Sequence, residues 1–195
     1  MGATNVMSAM IYRRDFEHLV AAVKYLLSNS TAQRRTMDTV IHAVLVAEDR
    51  RFMRHSGVDL IALLRAAIKW ARGGRLEGAS TIEQQLVRTI RGRYELTLGR
   101  KCSEIILASR LSRAFPKAEL INCYLHIAYF GWRANGIEQA AARLGVDLDA
   151  CSIEEAAALA AMLKVPMPKV PTARFAQRHS MRVDYIIKNW AAMRD

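Results

Sequence analysis

Apolar residues recur at three- and four-residue steps along almost the whole chain, punctuated by capping residues, glycines and prolines. Phe16, Leu19, Val20, Val23 and Leu27 form one such stripe, with Asp15 as its expected N-cap. A second helix is expected from near Thr36, carrying Val40, Ile41, Val44 and Leu45. Asp59 should cap a third, LIALLRAAIKWAR, which stops at Gly73-Gly74. After the loop RLEGAS, Ser80 and Glu83 have the spacing of a capping box opening a fourth helix. Gly92 and Gly99 bracket the next connection. A long helix then runs to Pro116, which opens another that reaches about Phe130. Residues 135–144 read as a short helix ended by Gly145, and Ser152 with Glu155 forms a second capping box. Pro166, Pro168 and Pro171 enforce an extended stretch before a last helix over about residues 172–193. No segment alternates as a strand would, so the pattern predicts a mainly α fold.

At 195 residues and 52% hydrophobic, the chain has material for a sizeable core, which excludes wholesale disorder. The formal net charge of +11 points to an anionic partner: nucleic acid, an acidic membrane surface or a phosphorylated substrate. Cys102, Cys123 and Cys151 form no CxxC pair, which argues against a disulfide framework or a zinc site. The N-terminus lacks a secretory pattern, and its apolar stretch from Leu19 to Leu27 is broken by Lys24 and too short to span a bilayer.

Glu48 continues the stripe of Ile41, Val44 and Leu45, seven residues after Ile41. An acid there is either a solvated helix end or partly desolvated. Desolvation would raise its pKa toward the range useful in proton transfer, and Asp49 beside it would push the same way. In the charged turn EDRRFMRHSGVD, Phe52 is the large apolar anchor, and His55 reads as a structural loop histidine rather than a base. Ser80 and Thr81 bring hydroxyls and free N–H groups to a helix start, with Gln84, Gln85 and Arg88 within two turns. Arg100 and Lys101 share a helix face with Glu104, either as a plain ion-pair set or as cations for phosphate with Glu104 orienting them or helping to hold a metal. These groups fit glycosyl transfer from a sugar phosphate.

The ordered run EDRRFMRHSGVD, GASTIEQQLVR, RKCSEIILASRL, YLHIAYFGWRANGIEQAA and SIEEAAALAAMLKVP, over about residues 40–170, resembles the biosynthetic peptidoglycan glycosyltransferases, glycosyltransferase family 51. These occur as monofunctional enzymes and as the transglycosylase half of class A penicillin-binding proteins. The resemblance implies a lysozyme-like helical domain with a small jaw subdomain, residues 36–195, after an N-terminal helical segment, 1–35, without a transmembrane anchor. It implies polymerisation of lipid II into β-1,4-linked glycan at the outer face of the cytoplasmic membrane. Glu48 is then the general base and Glu104 the second catalytic glutamate, near the donor pyrophosphate. Arg88 and Lys101 match basic positions that stabilise that pyrophosphate, sometimes with Mg²⁺ or Mn²⁺ near Glu104, and Arg100 is a further substrate-binding residue. Asp49, Phe52, His55, Gly57, Ser80, Gln84 and Gln85 shape the cleft. The implied partners are lipid II, the growing glycan strand, an anionic membrane surface and other cell-wall synthesis proteins.

Four positions depart from the family pattern. A usual basic residue is Leu96, for which Arg91 or Arg93 could substitute; a common Glu is Ser112; the Asn of the fourth motif is His126; and a later Tyr-Phe-Gly is reduced to Leu144-Gly145. No anchor or export signal is seen in the sequence. Two other functions stay open: a lysozyme-like glycan-cleaving enzyme, and a catalytically impaired homologue that binds lipid II. The cations are too dispersed for a nucleic-acid reader.

Overall fold

The computed structural model describes residues 3–29, 37–74 and 79–193, with side chains from residue 12 to 192 of these. In chain order the described residues form α1 (Ala3–Asn29), α2 (Asp38–Glu48), a 3-10 turn (Phe52–Arg54), α3 (Leu60–Ala71), α4 (Ile82–Arg91), α5 (Leu98–Ala114), α6 (Lys117–Ile127), β1 (Tyr129–Gly131), β2 (Ala134–Asn135), α7 (Ile137–Leu144), α8 (Ile153–Lys164) and α9 (Ala173–Lys188). The fold is mainly α, of the lysozyme-like class that the sequence led us to expect. The Thr36 helix start and residues 75–78 of the loop before Ser80 lie outside the described residues. No helix among those described is long and apolar enough to cross a membrane.

The chain divides into two compact units. The first combines Met1–Asn29 with Arg51–Tyr124. Here α1, α4 and α5 pack on one another, burying Leu19 and Val23 of α1, Leu86 and Val87 of α4, and Leu107 and Leu111 of α5. Burial of each such side chain contributes about 1.5–3 kcal/mol. Asp15 caps nothing, because α1 begins at Ala3 and runs straight through it. Its carboxylate instead accepts from Arg91 Nη2 at 2.6 Å. Asp59 does cap α3, accepting from the amides of Ile61 and Ala62 at 3.0 Å. Gly99 lies inside the first turn of α5, whose N-cap is Thr97.

The second unit combines Ser30–Arg50 with Leu125–Asp195. Its centre is α8, which packs against both α2 and α9. Ala156, Ala157, Ala160 and Ala161 are fully buried along α8, so its neighbours approach closely. The Ser152–Glu155 capping box opens this helix as expected. The expectation of no strands and of a helix reaching Phe130 is corrected here. Helix α6 stops at Ile127, and β1 pairs antiparallel with β2. Met167 also straps β1, its amide donating to the Phe130 carbonyl at 2.9 Å and its carbonyl accepting from the Trp132 amide at 2.8 Å. Gly131 permits this: it has φ +138°, and a Cβ there would lie 2.3 Å from the Met167 carbonyl oxygen.

Candidate active site

In the first unit, three sequence-predicted groups converge on one ammonium. Lys101 Nζ donates to Gln84 Oε1 at 2.6 Å, Glu104 Oε1 at 2.8 Å and Ser80 Oγ at 2.9 Å. All three of its N–H bonds are therefore used. Arg100 Nη1 donates to the other oxygen of Glu104, and Arg100 Nε to the Glu95 carbonyl. Glu104 is buried among them at 2% exposure, and the set carries one more positive than negative charge. The residue spacing along α5 produces the arrangement: from Thr97 as cap, Lys101 and Glu104 stand one turn apart, and Arg100 and Glu104 four residues apart.

The start of α4 is fixed from below. Thr81, not Ser80, is its N-cap, accepting from the Gln84 amide at 3.3 Å. The Thr81 hydroxyl and the Gln84 amide group both donate to the Gly57 carbonyl, at 2.8 and 3.4 Å. Gly57 has φ +80°, and a Cβ would lie 2.4 Å from the Ala108 carbonyl oxygen, so only glycine fits against α5 here. The expected Ser80–Glu83 capping box is thus corrected. Ser80 is drawn to Lys101, the helix starts one residue later, and Glu83 turns into the unit. Gln85 accepts from the Tyr124 hydroxyl at 2.8 Å. Arg88, one turn beyond Gln84, makes no ion pair among the described residues. Of the two arginines considered in place of Leu96, Arg91 is held by Asp15 and Ser103, and Arg93 pairs with Glu95 at the surface.

Phe52 is buried with its ring edge-on to His55, centroids 6.2 Å apart. Lys117 Nζ sits 4.2 Å over the Phe52 ring. Asp59 closes the turn and accepts from Arg51 Nε at 3.3 Å. Burial alone would raise the Asp59 carboxyl, but the Ala62 amide, the Arg51 guanidinium and the Ile61 amide together hold it below its ordinary value.

In the second unit, Glu48 is the last residue of α2 and half-buried, with 15% of its side chain exposed. It is both at a helix end and partly desolvated, so each of the two sequence readings captures part of it. Arg182 of α9 donates to Glu48 Oε1 at 3.2 Å and to the Ala47 carbonyl. Its guanidinium lies 4.8 Å from the Tyr185 ring centre, and the Tyr185 hydroxyl accepts from Arg50 at 2.7 Å. Asp49 follows as the C-cap and is 8% exposed. His126 Nδ1 stands 4.0 Å from Glu138.

Sequence reasoning missed Arg182, which is 134 residues from its partner, with no local signal linking the two. It also missed Glu83 as more than a cap, although a charge flanked by Ile82 and Leu86 on a buried helix was visible. Glu104 belongs to no cluster of three metal-binding side chains among the described residues. Both of its oxygens already face cations, so a divalent ion there would have to displace Lys101 or Arg100.

A mainly α domain whose buried acids are held by paired cations is the class defined by these helices and their site. The family model described as Transglycosylase matches residues 18–191, and the chain belongs to this family of peptidoglycan glycosyltransferase domains. Among its relatives it is 43% identical over 129 residues to penicillin-binding protein 1A of Aquifex aeolicus, covering 65% of this chain and 18% of that protein. It is 34% identical over 155 residues to penicillin-binding protein 1A of Rickettsia typhi, covering 77% of this chain and 20% of the other. The Escherichia coli protein of the same name is 38% identical over 129 residues, or 15% of its length. The chain spans about a fifth of the length of the first two relatives.

Proposed function

We propose that this chain polymerises lipid II at the outer face of the cytoplasmic membrane, lengthening a β-1,4-linked glycan strand. Glu48 takes the proton from the 4-hydroxyl of the acceptor's GlcNAc, and that oxygen attacks the anomeric carbon of the donor's MurNAc. The bond from that carbon to the pyrophosphate oxygen breaks, undecaprenyl pyrophosphate leaves, and the anomeric centre inverts from α to β. We assign residues 36–195 to the glycosyltransferase domain and 1–35 to a preceding helical segment.

The observation that carries the reading is the saturated ammonium of Lys101. It is a fixed cation, 27% exposed in its side chain, whose weakest acceptor is the Ser80 hydroxyl. A phosphate oxygen taking the place of that hydroxyl would gain a charge-assisted bond, and the freed Ser80 O–H can turn to donate to the same phosphate. Arg88, one turn beyond Gln84, adds a second positive charge where the leaving group's charge grows. No step is assigned to Mg²⁺ or Mn²⁺, since Glu104 is already neutralised by its two cations.

An anionic membrane surface is the second partner supported. Helix α3 exposes Leu60, Ile61, Leu64 and Ile68. At about 100° per residue these share one arc, with Arg65, Lys69 and Arg72 along one edge and Trp70 along the other. Apolar face, cationic flank and edge tryptophan are the features of a helix lying in a lipid interface.

Incubation with lipid II, with and without moenomycin, tests the reaction. Glycan polymer that moenomycin suppresses is the expected product. Muropeptides released from purified sacculi, with no polymer from lipid II, would instead establish the glycan-cleaving alternative. One observation favours a second reading, a homologue that binds lipid II without polymerising it: Leu96 is 97% exposed while Arg91 and Arg93 are engaged elsewhere. Lipid II binding without polymer would decide for that reading.

A further inference from the structure

Glu83 is fully buried in the first turn of α4, and the reaction above does not use it. Its Oε1 accepts from Lys117 Nζ and, at 3.3 Å, from the Ser112 hydroxyl, and it lies 4.0 Å from His55 Nδ1. Its Oε2 is buried with no hydrogen-bond partner among the described residues. The same Lys117 ammonium covers the Phe52 ring. One carboxylate thus ties together α4, the last turns of α5, the start of α6 and the Phe52–His55 turn, all within the first unit. A buried ion pair is weak support for stability, and a buried oxygen without a partner is a cost. A carboxylate kept under those terms needs another reason.

Its surroundings supply one: the Ser112 hydroxyl touches Glu83 Oε1, so position 112 on α5 faces the same point from the opposite wall. We propose that Glu83 is a positioning residue: from α4 it supplies the buried carboxylate that fixes the Lys117 ammonium over the Phe52 ring and stands against His55, and so holds the Phe52–His55 turn in its working geometry. The inference rests on the proposed polymerisation for its catalytic consequence, but not for the anchoring itself.

The test is relocation of the charge in the full chain. Glu83→Thr should lower kcat for lipid II polymerisation about tenfold to hundredfold with KM little changed, the scale expected when a site is misplaced by about 1 Å. Adding Ser112→Glu, which restores a carboxylate at the same point from the opposite wall, should recover kcat to within a few-fold of the parent. Where Glu83→Thr fails to fold, Glu83→Gln keeps the shape without the charge and carries the same measurement. Unchanged kcat in the single variant overturns the proposal, as does a folded double variant with no recovery. If the parent polymerises nothing, the functional reading fails by itself, and the imidazole ¹⁵N–¹H spectrum of His55 decides the anchoring. A pattern altered by Glu83→Thr and returned by Ser112→Glu supports it, and an unaltered pattern overturns it.

Discussion

Arg182 reaches from α9 to place its Nη2 3.2 Å from Glu48 Oε1, while donating to the carbonyl of Ala47 one residue earlier. The contact does two jobs. It satisfies a carbonyl that the end of α2 leaves open, and it fixes the direction in which the Glu48 carboxylate points. If Glu48 is the base, removing Arg182 should damage the reaction through Glu48 alone. Glu48→Gln is expected to lower kcat by about 10²–10⁴, the usual range for a positioned base. Arg182→Met should cost at least about tenfold, and the double variant should be no slower than Glu48→Gln by itself. Additive losses in that cycle would show that Arg182 acts on something other than Glu48.

Lys101 allows a sharper test of the phosphate seat. Its three N–H bonds point at three separate acceptors, a tripod that a planar guanidinium does not reproduce. Lys101→Met should lower kcat by about 10²–10³, the scale measured when one donor to a developing charge is removed. Lys101→Arg, despite keeping the charge, should recover only part of it. Ser80→Ala should cost less than either, because the phosphate replaces that hydroxyl as acceptor. Full activity of Lys101→Arg in a steady-state polymerisation assay would count against the tripod as the working geometry.

The elements that depend on neighbours in sequence were the legible ones. Asp59 and Gly73 bound α3, Ser152 and Glu155 open α8, and Pro116 separates α5 from α6, because caps and breakers act within one turn. Asp15 misled because a good capping residue in the middle of a helix looks the same as one at its start. The Tyr129–Asn135 hairpin was invisible because strands of three and two residues are too short to show a period of two, and its strap, Met167, is distant in the chain. The site divides in the same way. Arg100, Lys101 and Glu104 meet through helical spacing and could be grouped by counting. Their link to Gln84 and Ser80, like those of Arg182 to Glu48 and Lys117 to Glu83, is made by packing between elements, which one sequence does not encode locally.

Asp59 sets an acid limit on the first unit. Its carboxyl is held below the ordinary value of 3.8, so it binds a proton less readily in the folded chain than in the unfolded one. The stabilisation this brings is complete above the ordinary value and is lost as pH falls through the lower, folded one. Asp59→Asn keeps a competent cap but loses the charge, so it should flatten the acid limb of the stability curve. Its deficit against the parent should be present at neutral pH and shrink below about pH 4. Asp59→Ala also removes the cap and should cost about 1 kcal/mol more at every pH. Thermal unfolding of the three chains between pH 3 and 7 checks both statements, and a deficit for Asp59→Asn that grows on acidification would reverse the assigned sign.

The exposed face of α3 leads to the remaining prediction. Leu64 and Ile68 lie in solvent at 61% and 44% exposure, so replacing them with serine should barely change the unfolding temperature. Sinking them into a lipid interface, by contrast, removes apolar surface from water at about 25 cal/mol per Å². The double variant Leu64→Ser/Ile68→Ser should therefore weaken binding to phosphatidylglycerol-containing vesicles by about tenfold to hundredfold in a sedimentation assay. Arg65, Lys69 and Arg72 flank the same face, each contributing about 1 kcal/mol near an anionic surface, so binding should also fall with added salt and with omission of phosphatidylglycerol. The two perturbations separate the forces: salt acts on the cationic flank and serine on the apolar arc. A serine variant that binds vesicles as tightly as the parent, with the same salt dependence, would mean that α3 does not enter the bilayer and that charge alone brings the chain to the membrane.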